Sequence, residues 1–244
     1  MTARTKDYSP RATARIAGFL YLLIIVGALF IPFAIVPSGM MRGDAALPTV
    51  AHILAARQLY ALAGIAQAIL GACDIAVALI LYELLKPVGR SLALLAAFFR
   101  LVFVAIANAN LLNHFAPLLL LSGDLGAFTP EQLQALAGMF LRLRTIGLDI
   151  ALVFFGFHCV ILGYLLFRST FFPRVLGLLM AVGGVGYIAN IFATVLPLDV
   201  AARLFPYVML PVGVAELGLS LWLIVVGVNA AKWRSRAMAA GPQG

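Results

Sequence analysis

The chain has 244 residues, of which 64% are apolar and 11% are charged, and its mean hydropathy is +1.08. Soluble domains are nearer half apolar and a quarter charged, so this composition excludes an ordinary soluble protein and is typical of a polytopic membrane protein. The net charge of +8 comes from short basic clusters between apolar segments, as topology signals do, so we expect no nucleic-acid partner.

Six apolar segments follow one another along the chain, each long enough for the roughly 20 residues that a helical crossing needs. They run from about Ile16 to Val36, Leu59 to Leu85, Ser91 to Leu121, Thr145 to Phe167, Val175 to Leu196 and Tyr207 to Val228. The sequence therefore predicts an all-α bundle of six transmembrane helices. A basic segment (1–15) precedes the transmembrane domain (16–229), and a basic tail (230–244) follows it.

The lysines and arginines predict how the bundle is oriented, because they concentrate on the cytoplasmic side. With the N-terminus inside, eleven of them fall on the inner side: Arg4, Lys6, Arg11, Arg15, Lys86, Arg90, Arg168, Arg174, Lys232, Arg234 and Arg236. Five fall on the outer side: Arg42, Arg57, Arg142, Arg144 and Arg203. We therefore expect both termini in the cytoplasm and the bundle in the plasma membrane, with the lipid bilayer as its partner.

A helix start is predicted ahead of the fourth segment, where Thr129 is followed by Pro130, a pattern typical of an N-cap. A helix continuous from there to the end of the segment would be about 58 Å long, which exceeds any bilayer. We expect its first third to project outward, to lie on the surface, or to break near Gly138 or Gly147.

The middle of the third segment carries Arg100, where an unpaired charge costs about 2.5 kcal/mol or more. Arg100 lies ten residues past Arg90, or about 15 Å deep, at the midplane of a hydrocarbon core about 30 Å thick. Asp74 lies twelve residues before Lys86, or about 18 Å deep, on the segment that a tight turn joins to the third. We therefore predict a structural ion pair between Asp74 and Arg100.

Small and polar residues share one face of every predicted helix from the second to the sixth. The candidate pocket residues among them are Asp74, Arg100, Asn108, Asp149, Tyr187, Asn190 and Glu216. Counted from the inner charges, they run from the midplane toward the outer face, and a pocket open to the outside is the simplest geometry that hydrates them. Glycines on these faces allow close helix packing, within the chain or in a homo- or hetero-oligomer.

Glu216, in the sixth segment, is the candidate functional carboxyl. It lies sixteen residues before Lys232, which places it about 24 Å from the inner side and about 9 Å from the level of Arg100. With no basic residue at that level, we expect it to be protonated near neutral pH or hydrogen-bonded to Asn190 or Tyr187. Such a carboxyl can bind a cation or carry a proton; the alternative is a structural hydrogen bond between helices.

The sequence contains few residues that could support catalysis or bind a cofactor. The sequence contains neither H-E-x-x-H nor G-x-S-x-G, and its two cysteines and three histidines are too few for a zinc or haem framework. Cys73 and Cys159 are interpreted as packing residues, His158 as a histidine bonded to a backbone carbonyl, and Tyr21 as an interfacial or lipid-facing aromatic. We expect no catalytic residue, metal or cofactor.

Several stretches together point to a known family. They are RIAGFLYLL in the first segment, LALLAAFFRL in the third, FFGFHCVILGYLLFRSTFFPRVLGLLMAVGGVGYIAN across the fourth and fifth, and AELGLSLWLIVVGV in the sixth. With these stretches the chain resembles a bacterial family of integral membrane proteins known only as a domain of unknown function. The resemblance implies a six-helix membrane protein of a bacterium, and it implies no activity, cofactor or catalytic residue.

Three hypotheses for the function remain open at this stage. The leading one is a membrane protein that binds or passes a small molecule, lipid or ion through a polar pocket in the outer half of the bundle. The second is a regulatory or assembly subunit whose polar residues make purely structural contacts. The third, an intramembrane enzyme, has only a conceivable pair of His158 and Glu216 in its favour.

Overall fold

The computed structural model describes the backbone of residues 9–35, 50–122, 126–195 and 201–240. Within these ranges it leaves the side chains of 30, 32–35, 50–52, 190, 192–195 and 201–209 undescribed. The described residues form helices, turns and short connections, and the predicted all-α class is confirmed for them.

Nine helices make up the described part of the chain. They are α1 (Pro10–Ile35), α2 (Val50–Ala55), α3 (Arg57–Leu85), α4 (Arg90–Ala109), α5 (Leu111–Leu120), α6 (Pro130–Arg168), α7 (Arg174–Val195), α8 (Ala201–Val225) and α9 (Ala230–Ala239). The first predicted segment corresponds to α1, the second to α3, the third to α4 with α5, and the fourth, fifth and sixth to α6, α7 and α8.

Four spans among the described residues are long and apolar enough to cross a membrane: Pro10–Leu29, Arg57–Leu85, Arg90–Leu120 and Pro130–Arg168. Leu210–Val225 with Ala230–Ala239 would make a fifth, although the two are bent by 103°. Arg174–Ala189 is apolar but shorter in its described part. The protein is therefore a helical membrane protein, and its described residues supply four to five spans on these criteria.

The main packing pairs of the long helices close into a ring. Following the contacts, α1 packs on α3, α3 on α4, α4 on α6, α6 on α7, α7 on α8, and α8 back on α1. The turns 86–89 and 169–173 lie at one end of this ring, where α1 begins and α8 ends, and we call it the basic end. Side chains that point inward from different helices can therefore meet on the axis of the ring.

The helix that contains the fourth segment is unbroken over 39 residues, from Pro130 to Arg168. Its predicted start is confirmed, because Thr129 Oγ1 accepts from the Gln132 amide while Gln132 Oε1 accepts from the Thr129 amide. The predicted alternative of a break near Gly138 or Gly147 is wrong. α6 also packs against α2 and α5.

α8 does not continue into the basic tail. It ends at Val225, and the chain turns through Gly227 at φ 67°, a conformation that favours glycine. The Asn229 side chain then caps α9, which leaves at 103° to α8. Trp233 Nε1 donates to the carbonyl of Leu84 at 2.9 Å, so α9 is fastened to the basic end.

The ring is filled differently in its two halves. Toward the basic end its core consists of leucines that are 1% exposed or less: Leu84, Leu85, Leu162, Leu165, Leu166, Leu219 and Leu223. From the middle outward, polar side chains that the sequence singled out are only half-buried: Asn108, Asp149, Tyr187 and Glu216. The half at the basic end is therefore filled by apolar packing, whereas these polar side chains of the other half are less completely buried.

Two pairs of glycines bring α6 and α7 into backbone contact. Gly156 lies against Gly184, and Gly163 lies against Gly177, so that a Cβ added at any of the four would meet backbone atoms of the other helix within 3 Å. Each pair is seven residues from the other on both helices, as an antiparallel interface requires. These glycines serve packing within the chain, where small residues let helices associate in lipid.

We predict that Gly163→Ala lowers the free energy of unfolding by about 1–3 kcal/mol, because the new methyl group overlaps the Gly177 carbonyl and Ala181. Gly138→Ala is the matched control, since it lies on the same helix with nothing within 4 Å of its added Cβ. Reversible unfolding in mixed micelles measures both. Equal stability of the two variants would contradict the tight α6–α7 contact.

Candidate functional site

Five polar or ionisable side chains from five helices lie at one level in the middle of the ring. They are Tyr21 of α1, Asp74 of α3, Arg100 of α4, His158 of α6 and Glu216 of α8. Each lies nine to eleven residues from the basic end of its helix, which is about 14–17 Å. This distance is about half of the roughly 30 Å thickness of a hydrocarbon core. We call these five residues the midplane network.

Arg100 is paired with Asp74, as the depth of the two residues in the sequence predicts. Its Nε donates to Asp74 Oδ1 at 2.5 Å, and its Nη2 lies 2.5 Å from the same oxygen. Arg100 is completely buried and Asp74 is 5% exposed. A charge buried this deeply requires a partner of opposite sign, because the low-dielectric interior otherwise makes it very unfavourable.

His158 holds the remaining terminal nitrogen of the guanidinium. Its Nδ1 lies 2.8 Å from the carbonyl of Ala96, and its Nε2 lies 3.1 Å from Arg100 Nη1. A carbonyl oxygen can only accept, so Nδ1 carries the hydrogen and Nε2 accepts from the arginine. The contact with a backbone carbonyl that the sequence suggested is present, and the bond to Arg100 adds a role in orienting the guanidinium.

Two aromatic rings cover the guanidinium. The Arg100 Cζ lies 4.6 Å from the centroid of the Tyr21 ring and 5.5 Å from that of Phe155. Aromatic faces attract a cation, by about 2 kcal/mol when the site is dry. The interpretation of Tyr21 as an interfacial or lipid-facing aromatic is wrong, since it is 1% exposed and lies inside the ring.

Tyr21 also connects Arg100 to Glu216. Its hydroxyl donates to Glu216 Oε1 at 2.8 Å, while its ring lies over the guanidinium. The sequence offered Asn190 or Tyr187 as the partner. The partner that the structure shows is Tyr21 on α1, and the side chain of Asn190 lies outside the described residues. Amphipathic aromatic residues are common at membrane interfaces, so residue type alone did not distinguish this buried tyrosine.

The expected depth of Glu216 is also wrong, and the reason is the bend after α8. The count from Lys232 assumed one straight helix, but α8 ends at Val225, nine residues past Glu216. The carboxyl is then about 14 Å from the end of its helix rather than 24 Å. This is the level of Arg100, which is why Tyr21 can reach both residues.

Among the other predicted pocket residues, Asn108, Asp149 and Tyr187 do not join the network. Tyr187 packs edge-on against Phe155, with ring centroids 5.6 Å apart, and so borders it. Asn108 donates to the Val104 carbonyl and lies against Gly71 of α3. Asp149 is half-buried and makes no hydrogen bond or ion pair with the described residues. Asn190 belongs to α7, but its side chain lies outside the described residues.

A second polar group lies nearer the outer end of α3, α5 and α6. Arg144 Nη2 donates to Gln67 Oε1 at 3.2 Å, and Asn110 Nδ2 donates to the Arg144 carbonyl at 2.7 Å. His114 Nε2 lies 2.9 Å from the Tyr60 carbonyl, and the two rings stack at 4.0 Å. These bonds cross between helices and stabilise the bundle at the end opposite the basic end.

The space left around the midplane network is small. A cavity of about 10 Å³ touches His158 on the side of the basic end, which is room for about one water molecule. Among the described residues, no three histidine, cysteine or acidic side chains lie close enough to hold a metal ion. The chemistry available at this level is therefore proton exchange, hydrogen bonding and binding of a cation by a carboxylate.

Comparison with known proteins gives the family. The family model described as Domain of unknown function (DUF4386) matches residues 16–227, which is most of the chain. The chain belongs to this family. All five residues of the midplane network lie inside the family region.

One relative shows how far the similarity extends. An uncharacterised protein of Archaeoglobus fulgidus is 31% identical over 132 residues, which span 54% of this chain and 65% of the relative. No solved structure gives a significant match. Neither the description of the family nor that of the relative gives an activity.

We predict that Arg100→Met lowers the free energy of unfolding by about 3–5 kcal/mol, because it leaves Asp74 buried without its partner. Adding Asp74→Asn removes that uncompensated charge and should recover part of the loss. Unfolding in mixed micelles gives the coupling energy of the double-mutant cycle.

Arg142→Met, at an exposed position on α6, is the control and should change stability by less than about 0.5 kcal/mol. Strict additivity of the Asp74 and Arg100 substitutions would show that the two residues are not energetic partners.

Proposed function

We propose that this protein crosses the plasma membrane of a bacterium six times, with both termini in the cytoplasm, and binds a small molecule or ion through a polar pocket in the outer half of the bundle. Glu216 is the residue that holds the ligand, and a proton or a small cation is the ligand that its carboxyl suits best. The observation that carries the proposal is that Glu216 forms the open end of the midplane network.

The two ends of the network differ in how completely they are satisfied. At Arg100, three nitrogens have partners in Asp74 and His158, and two aromatic rings cover the guanidinium. At Glu216, one oxygen accepts from Tyr21, and the side chain is half-buried. The second oxygen has no donor among the described residues. A carboxyl with one fixed and one free oxygen can take up a proton or a cation without dismantling its surroundings.

The filling of the ring supports access from the outer end. The leucine core beyond the network leaves no polar route to the basic end in this conformation. The half-buried polar side chains lie at or outward of Glu216. This asymmetry supports binding from outside, and passage would require the apolar half to open.

The structural alternative also has an observation in its favour. Because each of the three Arg100 guanidinium nitrogens has a partner, the Asp74–Arg100–His158 part of the network can serve as an interhelical lock without any ligand. A regulatory or assembly subunit requires no more than this. The two functions make different demands on Glu216. Ligand binding requires that its carboxyl take up a proton or a cation, whereas a purely structural role does not.

We predict that reporter fusions after residue 39 and after residue 244 show opposite sidedness, with the fusion at the C-terminus in the cytoplasm. The physical reason is the excess of lysine and arginine on the inner loops. Alkaline phosphatase and fluorescent-protein fusions measure the two sides in cells. Equal sidedness would rule out the six-crossing topology.

We predict that Glu216→Gln folds normally but removes a proton- or cation-dependent shift in thermal stability, because glutamine keeps the Tyr21 hydrogen bond and cannot titrate. Purified protein is melted between pH 5 and 9 in sodium, potassium or choline chloride. Infrared spectra should also show a protonated-carboxyl band near neutral pH that the substitution removes.

Asp149→Asn is the matched control, since Asp149 is a half-buried carboxylate that touches no residue of the midplane network. It should leave the shift and the infrared band in place. Wild-type protein that melts identically in every condition, or a shift that Glu216→Gln leaves in place, would exclude Glu216 as the binding carboxyl.

A further inference from the structure

A second site, separate from the midplane network, lies at the basic end. An open cleft of about 340 Å³ is lined by Phe167, Arg168, Arg174 and Arg236. Arg168 is the last residue of α6, Arg174 is the first of α7, and Arg236 lies in the last turn of α9. The turn 169–173 thus brings two arginines together, and the bend before α9 brings the third.

The positive charge of this cleft is uncompensated within the described part of the chain. The ion pairs found there are Lys86 with Glu83 and Arg100 with Asp74, and neither involves an arginine of the cleft. Three guanidinium groups around one space repel one another unless an anion lies between them. Their convergence therefore indicates a site for a negatively charged group.

Two of the three guanidinium groups are held in place by aromatic rings. The Cζ of Arg168 lies 6.0 Å from the Tyr164 ring centroid, and that of Arg174 lies 5.7 Å from the Phe167 ring centroid. Stacking of this kind restricts the side chains before a ligand arrives. A planar guanidinium with paired N–H donors matches the oxygens of a phosphate, and several together are typical of phosphate recognition.

The protein surface next to the cleft consists of exposed apolar and aromatic side chains. Tyr164, Phe167, Val175 and Leu178 are each 46–65% exposed on the outside of α6 and α7. They continue from the arginines toward the middle of the bundle, over the region that faces the lipid chains. A ligand that fits both parts carries a phosphate at one end and long hydrocarbon chains at the other.

We propose that this cleft binds the phosphate of an anionic phospholipid, with its acyl chains along the exposed face of α6 and α7. The anionic headgroup matters because three arginines favour a net negative ligand over a zwitterionic one. The site needs neither Glu216 nor the outer half of the bundle, so it stands whether or not the proposed function holds.

The test compares phosphatidylglycerol with phosphatidylcholine of the same chain length on the full-length protein in neutral detergent. Native mass spectrometry counts bound lipids across a titration and gives the dissociation constants. The wild type should bind phosphatidylglycerol at least about tenfold more tightly than phosphatidylcholine, and Arg168→Gln, Arg174→Gln and Arg236→Gln together should abolish that preference.

A second triple variant is the control for net charge. Arg15, Lys232 and Arg234 are exposed basic residues at the same end and line no part of the cleft. Changing these three to glutamine removes as much charge and should preserve the preference for phosphatidylglycerol. Circular dichroism and gel filtration establish that both variants fold.

A competition experiment with a soluble phosphate compound distinguishes a lipid headgroup from a free phosphate ligand. Glycerol 3-phosphate, which has the headgroup chemistry without the chains, should fail to compete with phosphatidylglycerol at equal concentration. Competition at equal concentration would overturn the lipid assignment in favour of a soluble phosphate ligand. Equal binding of the two lipids by the wild type, or equal loss in both triple variants, would overturn the site itself.

Discussion

The satisfaction of one buried cation, Arg100, is the constraint on which the centre of this protein depends. A guanidinium at the membrane midplane cannot be hydrated, so the surrounding helices have to supply a counter-charge and hydrogen-bond acceptors. Asp74 supplies the charge, His158 supplies an acceptor, and Tyr21 and Phe155 cover the faces. Because these side chains come from three helices and Arg100 from a fourth, satisfying one residue places four helices of the ring in relation to one another.

The same arrangement determines where Glu216 can act. Its link to Arg100 is the Tyr21 side chain, which uses its hydroxyl on the carboxyl and its ring on the cation. A change in the charge of Glu216 therefore alters the field at a tyrosine that packs on the one midplane arginine. Under the proposed function, ligand binding at Glu216 and packing at Arg100 would be coupled through the Tyr21 side chain, which gives a physical route from ligand to helix arrangement.

Counting residues from the basic side chains at the tight turn predicted the Asp74–Arg100 pair, because Lys86 and Arg90 lie where the two helices end and begin. The same count misplaced Glu216, because Gly227 turns the chain before the basic residues of α9 are reached. The all-α class and the start of α6 follow from local patterns. The role of Tyr21 does not, since only tertiary packing decides whether a tyrosine faces lipid, headgroups or a buried arginine.

The polar network and the glycine contacts solve different parts of one problem. Apolar side chains are almost as well solvated by lipid as by one another, so they specify poorly how far one helix slides along its neighbour. A slip of one turn moves a residue by about 5.4 Å, which would break the hydrogen bonds of Arg100 and Tyr21. The glycines of α6 and α7 set the distance between those helices, whereas the midplane network sets the axial register of α1, α3, α4, α6 and α8. Each of these ionisable residues is unfavourable when it is buried alone. Together they favour one arrangement of the helices over others that have similar apolar packing.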